Sequence, residues 1–500
     1  MEFNLLKSFW RCINGTNKVI LFIQKKNNYC IKNKGSLKNF VFILFFVFTG
    51  IQFFLVDINI IALAFFFLNY LLLMVIMYYH FFLEKEYSPF ISAYLIFSLL
   101  FFVIAPLAQI SKIDTVLPRY LNYLPYHWKQ TIFANLCILI FNVVFFISYV
   151  FFKKYNNKVK PYKIRKRLPF DILVILVICV LILIFNIDFI QQKLMTPNWK
   201  LQLDKAKSIK IIISKVLFSI PLAGIAMCVM YFKKKNNKPI NWVVILGSLI
   251  IFLLLILIFK NPFMEKRSGL GPIYFSLLFL FVPKLLNNNI KTTLILYLSL
   301  IIAMPILAVF THINSSFIEV LKNPKIITGS LNKDVLLSNF NTLHFDAYAN
   351  FLATIENVSF HGFSMGEQLS SALFFSVPRS IWPSKPLTSG QFLGNYLIEE
   401  HGFYFNNISN PFVSEAYLNF GVIGIVIFAI ILAYFLTRAL VFLKSDDYLK
   451  KVLAFFIAIH MIYFLRGDFT NGFSQLILVS FGIYVIPKSI KYFYQGTKLW

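Results

Sequence analysis

Acidic side chains are scarce in this sequence. The 500-residue chain carries 20 Asp and Glu against 48 Lys and Arg, a formal charge of +28. Cysteine is scarcer still, five in all. Cys137, Cys179 and Cys228 lie in apolar runs, and Cys12 and Cys30 lie in a basic N-terminal stretch. None has metal-ligand spacing, which argues against a disulfide framework or a cysteine metal site and leaves small apolar side chains. Fixed-period repeats, low-complexity tracts and linkers are missing too. No small-residue cleavage site follows the first apolar run, which starts near Phe40, so a removable signal peptide is not expected.

Apolar side chains fill the sequence instead. They make up 59% of it, with 60 Phe and a mean hydropathy of +0.73; soluble domains sit at about 45–50%. Runs such as 170–187 and 242–259 are long enough to cross a hydrocarbon core of about 30 Å. Twelve candidate spans emerge: 39–56, 59–82, 89–110, 131–152, 169–189, 211–232, 240–259, 271–286, 292–311, 411–437, 452–465 and 472–487. The expected fold is therefore an all-α polytopic membrane protein. Its basic residues cluster in short segments between spans, as in 153–167 and 233–238. That pattern sets topology and makes nucleic acid an unneeded partner. It places residues 1–38 and 488–500 in the cytoplasm, spans one to nine within 39–311, a large periplasmic loop at 312–410, and the last three spans within 411–487. Lys215, near the end of span six, is expected to snorkel to the interface.

The loop breaks the hydropathy pattern. It holds seven of the 20 acids and four of the seven histidines, His312, His344, His361 and His401. A connection this long is usually functional. Within 342–358, Phe345, Tyr348, Phe351, Leu352, Ile355 and Val358 recur at helical spacing while Asp346, Asn350 and Asn357 share another face. This reads as an amphipathic helix lying on the membrane or on other spans. A second helical stretch, 365–376, should stop before Pro378. Asn410-Pro411 then opens a helix with an N-cap residue and Pro at the first turn. Running to about Leu436, that helix would be about 40 Å long and its first turn, with Glu415, should project outside. Glu399-Glu400-His401 is not a metal site, because three consecutive residues cannot converge on one ion.

Three stretches, HFDAYANFLATIE, FFSVPRSIWPSKPLTSGQFLG and NNISNPFVSEAYLNFGVIGI, together resemble the Wzy-type O-antigen polymerases, or oligosaccharide repeat-unit polymerases. NPFMEKRSGLG, between spans seven and eight, is similar to that family's short Arg-containing outer loop. The motif-bearing part covers about a fifth of the chain. The resemblance implies a GT-C-like glycosyltransferase working at the periplasmic face of a bacterial inner membrane. Such enzymes move a glycan from one undecaprenyl pyrophosphate onto another lipid-linked unit, without a metal or nucleotide cofactor. The implied partners are the lipid-linked oligosaccharide, the bilayer and a polysaccharide chain-length regulator.

That chemistry asks for cations against pyrophosphate, and the Arg fork suits phosphate oxygens best. Arg379 and Arg267 are the expected pyrophosphate ligands, with Lys385 and Lys266 beside them; Arg119 and Arg466 read as ordinary interfacial residues. An acceptor hydroxyl needs a base, for which Asp346, Glu415 and His344 are the candidates, with His401 weaker. Each has a plainer role: a carboxylate near a helix N-terminus serves the dipole, and one on a helix face is solvated. Trp382, Tyr404 and Asn407 are the expected sugar contacts, although aromatic residues are routine at membrane interfaces. Two other readings fit many spans, an O-antigen ligase and a flippase for lipid-linked oligosaccharide. PRSIWPSKP favours the polymerase over the ligase. Polar residues gathered in one outer loop, not along the midplane of the spans, weigh against the flippase.

Overall fold

The computed structural model describes residues 37–56, 58–110, 127–155, 170–195, 214–232, 239–262, 265–303, 305–306, 317–323, 340 and 343–496. His312, Arg119 and most of the two basic segments named above lie outside them. Helices are the regular structure among the described residues. Eight are long and apolar enough to cross a membrane: Ile60–Leu83, Pro89–Ile110, Trp128–Lys154, Ser214–Phe232, Asn241–Phe259, Phe412–Lys444, Tyr448–Arg466 and Phe469–Ile490. Leu37–Gln52, Phe170–Phe185, Arg267–Phe281 and Asn289–Ala303 are shorter apolar helices and coincide with the other expected runs. The protein is thus membrane-embedded. Its outward side chains fit this: Phe54 and Ile423 are 90% and 72% exposed, which water would penalise and lipid does not.

Pro89–Ile110 is the central helix, with 89–107 buried on every side. Four of the apolar helices contain a π-helical turn, at Tyr79–Leu83, Leu100–Ile104, Ser299–Ala303 and Phe481–Val485. At one end of the bundle, a polar knot joins the spans. The fully buried Glu84 carboxylate accepts from Lys153 at 2.5 Å and Tyr149 at 2.8 Å and pairs with the His80 ring. Glu86 takes Lys444 at 2.7 Å. Asn289 threads in by donating to the carbonyls of His80 and Glu86, both at 3.1 Å. Burial alone would raise the Glu84 carboxyl; the His80 ring and the Lys153 ammonium outweigh it and hold the group below its usual value.

The opposite end carries the large connection, whose described residues include the α-helices Phe317–Lys322, Ala347–His361, Glu367–Leu373 and Ser389–His401. Of the two placements expected for Ala347–His361, the second holds: it lies against other spans, Trp128–Lys154 and Phe412–Lys444. Residues 347–355 are all buried, because the polar face that should meet water is paired inside the protein. Tyr348 accepts from Asn135 at 2.7 Å and donates to the carbonyl of Thr131 at 3.1 Å, which docks the helix on Trp128–Lys154. Gln109, at the end of the central helix, donates to the carbonyls of Phe340 and Phe345 at 2.8 and 2.9 Å.

The helix opening at Pro411 also departs from expectation. It is broken at Phe420 (φ −141°) and Gly421 (φ 59°, ψ −147°). Gly424 lies against the carbonyl of Ala416, which would sit 2.2 Å from an added Cβ. Residues eight apart on a straight helix are about 12 Å apart, so the chain folds back sharply here. The half-helix 412–419 is buried throughout and carries Ser414, Glu415 and Asn419 inward. Glu415 is 1% exposed, so it does not project outside.

Both glycines of NFGVIG are thus required by backbone geometry. Gly421→Ala forces a side chain into a positive-φ region that glycine alone adopts freely, at a cost of about 1–3 kcal/mol, and displaces the Phe363 ring, 2.9 Å from the new Cβ. Gly424→Ala should lower the melting temperature of detergent-solubilised protein further, because backbone cannot yield. At the other end, Glu84→Gln should cost about 3 kcal/mol at pH 7. Since the folded carboxyl is held low, its contribution is present above the ordinary carboxylate pKa and disappears as pH falls through the folded value. The gap between wild type and Glu84→Gln in thermal melts should therefore close on acidification.

Candidate functional site

Asp346 is the N-cap residue of Ala347–His361, yet its side chain makes no cap bond with that helix. The carboxylate turns instead to three donors. Arg466 Nη2 reaches Oδ1 at 3.1 Å, Ser409 Oγ donates to the same oxygen at 2.7 Å, and Asn350 Nδ2 donates to Oδ2 at 3.0 Å. With Asp346 only 2% exposed, this pairing is what makes its charge tolerable. Arg466 ends the span Tyr448–Arg466, and the same Nη2 donates to the carbonyl of Leu343 at 2.6 Å. Its Nε is buried and has no hydrogen-bond partner among the described residues.

His344 sits in the turn Leu343–Phe345, half-buried. Arg267 opens the helix Arg267–Phe281, and its Nη2 lies across the edge of the His344 ring, 2.9 Å from Nδ1 and 3.0 Å from Nε2. A guanidinium only donates, so this contact needs a neutral imidazole with a free nitrogen. Arg466 acts on Arg267 electrostatically, which brings two guanidinium groups, one imidazole and one carboxylate into a single neighbourhood. Lys266 precedes Arg267 as the helix N-cap residue and is exposed.

A second polar layer lies beside the first. Asp468 caps Phe469–Ser480 through the Asn471 amide at 3.0 Å and accepts from the Gly390 amide at 2.8 Å, serving the N-termini of two helices at once. Gly390 is needed there, since a Cβ would stand 2.3 Å from the carbonyl of Ile408. Asn410 donates to Glu415 at 3.2 Å, and Ser414 donates to Thr354 at 2.7 Å. Glu415 feels the negative charge of Asp468.

Among the expected site residues, Arg267, His344 and Asp346 come together. Glu415 is in the adjoining layer. Arg379 and Lys385 are tied into their own turn: Arg379 donates to the carbonyls of Lys385 and Pro386, and Lys385 Nζ donates to those of Phe374, Phe375 and Val377 at 3.0 to 3.2 Å. Burial and the neighbouring Arg379 lower the Lys385 pKa. Trp382 donates to Ser384 at 3.1 Å and packs edge-on against Phe374. Tyr404 belongs to another aromatic group, with Phe403 and Phe405 at 4.9 Å each, and Asn407 is exposed near it. His401 pairs with Glu356 at 3.0 Å.

Arg466 was read from sequence as interfacial and is instead the partner of Asp346; Asp468 drew no attention. The available signal was the connector Arg466-Gly467-Asp468, too short to hold two charges in water between two apolar helices. If Asp346 and Arg466 form one unit, replacing either strands the other. A double-mutant cycle with Asp346→Asn and Arg466→Gln, followed by thermal unfolding, should give a coupling of about 1.5–3 kcal/mol. No family model, curated protein or solved structure matches this chain.

Proposed function

We propose that the protein polymerises oligosaccharide repeat units carried on undecaprenyl pyrophosphate, building an O-antigen, capsule or similar surface polysaccharide. The observation that carries this reading is the meeting of Arg267, Arg466, His344 and Asp346 at the helix ends under the large connection. In this reading twelve helices cross a bacterial inner membrane, both termini are cytoplasmic, and the large loop faces the periplasm.

The donor's pyrophosphate lies at headgroup level and gains charge as the glycosyl bond breaks. Arg267 and Arg466 are suited to hold it through their guanidinium groups. Arg379, Lys385 and Lys266 add positive charge on the same side of the molecule. The acceptor hydroxyl attacks the anomeric carbon, the bond from that carbon to the phosphate oxygen breaks, and the pyrophosphate leaves on its lipid. As Arg267 turns from His344 to the pyrophosphate, the acceptor nitrogen it frees on the neutral imidazole takes the hydroxyl proton. Asp346, with its oxygens committed to three donors, acts by positioning Arg466. Glu415 serves the same end by holding the half-helix in place. Trp382, Tyr404 and Asn407 supply exposed surfaces for sugar.

The test is the glycan profile of a deletion strain of the source bacterium. Loss of the gene should leave cores bearing at most one repeat unit; loss of a flippase removes even that unit, and loss of a ligase leaves lipid-linked polymer unattached. Complementation with Arg267→Ala should give at least about 100-fold less polymer than wild type, the scale for losing a transition-state charge contact, with membrane insertion intact. Arg379→Ala should also reduce polymer. An unchanged ladder in the deletion strain would sink the proposal.

A further inference from the structure

The stretch between Ala347–His361 and Ser389–His401 exposes apolar side chains that no described residue covers. Met365 is 73% exposed, Leu373 60%, Phe374 56% and Ile381 74%. Met365 is the one non-glycine residue with positive φ (47°) among the described residues. The backbone holds it there from both sides: Ser364 donates to the carbonyl of Leu418 at 2.9 Å and Gly366 donates to Asn419 Oδ1 at 3.1 Å. The fold thus accepts local strain to turn an apolar side chain outward.

Depth argues for what covers this surface. Glu367–Leu373 packs against Phe469–Ser480, and the Phe375 ring meets that of Phe473. Phe473 is 15 residues from Lys488, whose charge marks the far boundary of the span. At 1.5 Å per residue this is about 22 Å, inside a core of about 30 Å. The short helix therefore lies beside the span and not above its end. The patch also continues the lipid-facing surface of the neighbouring helix: a Cβ at Gly366 would meet the Phe420 ring at 3.4 Å, and Phe420 and Ile423 are 40% and 72% exposed. Beside the apolar residues stand Arg379 and Lys385, which bond carbonyl oxygens and make no ion pair among the described residues. Uncompensated cations rimming an apolar face match a phospholipid surface.

We propose that residues 365–381 form a membrane-immersed element, with Met365, Leu373, Phe374 and Ile381 among the acyl chains of the leaflet that surrounds Phe420 and Ile423, and with Arg379 and Lys385 at its headgroups. The large connection is then partly a lipid-embedded structure and not wholly an aqueous one. This inference rests on membrane embedding alone and stands whether or not the protein makes polysaccharide.

The test is spin labelling of the full chain in phosphatidylethanolamine–phosphatidylglycerol nanodiscs. Cys12→Ser and Cys30→Ser remove the two cysteines of the basic N-terminal stretch; Cys137, Cys179 and Cys228 are buried and remain unlabelled. Leu373→Cys, Phe374→Cys and Ile381→Cys are labelled in turn, all at exposed positions that tolerate a probe. Ile427→Cys on the lipid face of its span and Glu399→Cys on the loop surface are the references. The ratio of collision with oxygen to collision with a water-soluble nickel chelate should match that at 427 and exceed that at 399 several-fold. A ratio like that at 399 would overturn the proposal. Exclusion of both reagents would overturn it equally, by showing a protein contact such as a second copy of the chain.

Discussion

A carboxylate cannot remain charged and alone inside a bundle that lipid surrounds. Asp346 is in that position, and the three groups that satisfy it come from three parts of the chain: the end of one span, the loop helix itself, and the segment leading into the broken helix. Breaking such a buried pair by removing one partner costs several kcal/mol. The docking of the large connection on the spans therefore depends on this carboxylate. Gln109 extends the same logic, binding the main-chain carbonyls of Phe340 and Phe345, and Tyr348 ties the loop helix to a span through the Thr131 carbonyl.

The two ends of the bundle treat polar groups differently. Around Glu84, both carboxylate oxygens have partners and the surrounding Asn, Ser and Thr groups bond one another; this end is a fastening. Around Asp346 the satisfaction is incomplete. Arg466 retains a donor with no partner among the described residues, and His344 is only half-buried. Two guanidinium groups in one neighbourhood repel each other, a cost that an anion between them would relieve.

Hydropathy made the apolar helices legible, since the run lengths and the bilayer thickness obey one arithmetic. Helical spacing made Ala347–His361 and Glu367–Leu373 legible but not Phe317–Lys322 or Ser389–His401; Asn410-Pro411 marked the helix start, yet Pro411 is the N-cap residue and Asn410 donates to Glu415 instead of capping. What the sequence did not reveal depends on contacts between distant segments. The polar stripe of 347–358 reads as solvated in isolation; only the arrival of Ser409 and Arg466 makes it an interior face. An unbroken helix would project Glu415, and hydropathy contains no signal for the break at Phe420 and Gly421. The glycines at 421 and 424 held that information, though Gly within an apolar helix is common in membranes and therefore ambiguous. Arg379 and Lys385 show the converse: a motif suggestive of ligand binding whose hydrogen bonds go to its own turn.

The break at Gly421 also resolves a problem of hydrophobic mismatch. A continuous helix over the 33 residues of Phe412–Lys444 would be about 50 Å long. To keep its apolar length within a core of about 30 Å it would have to tilt by roughly 50°, beyond the range of about 0–40° that spanning helices adopt. Split at 420–421, the remaining 23 residues measure about 34 Å and fit with a tilt of roughly 30° or less. The bilayer is spared a local thickening, and the surplus two turns become interior structure, delivering polar side chains to the site from a helix that never crosses the membrane.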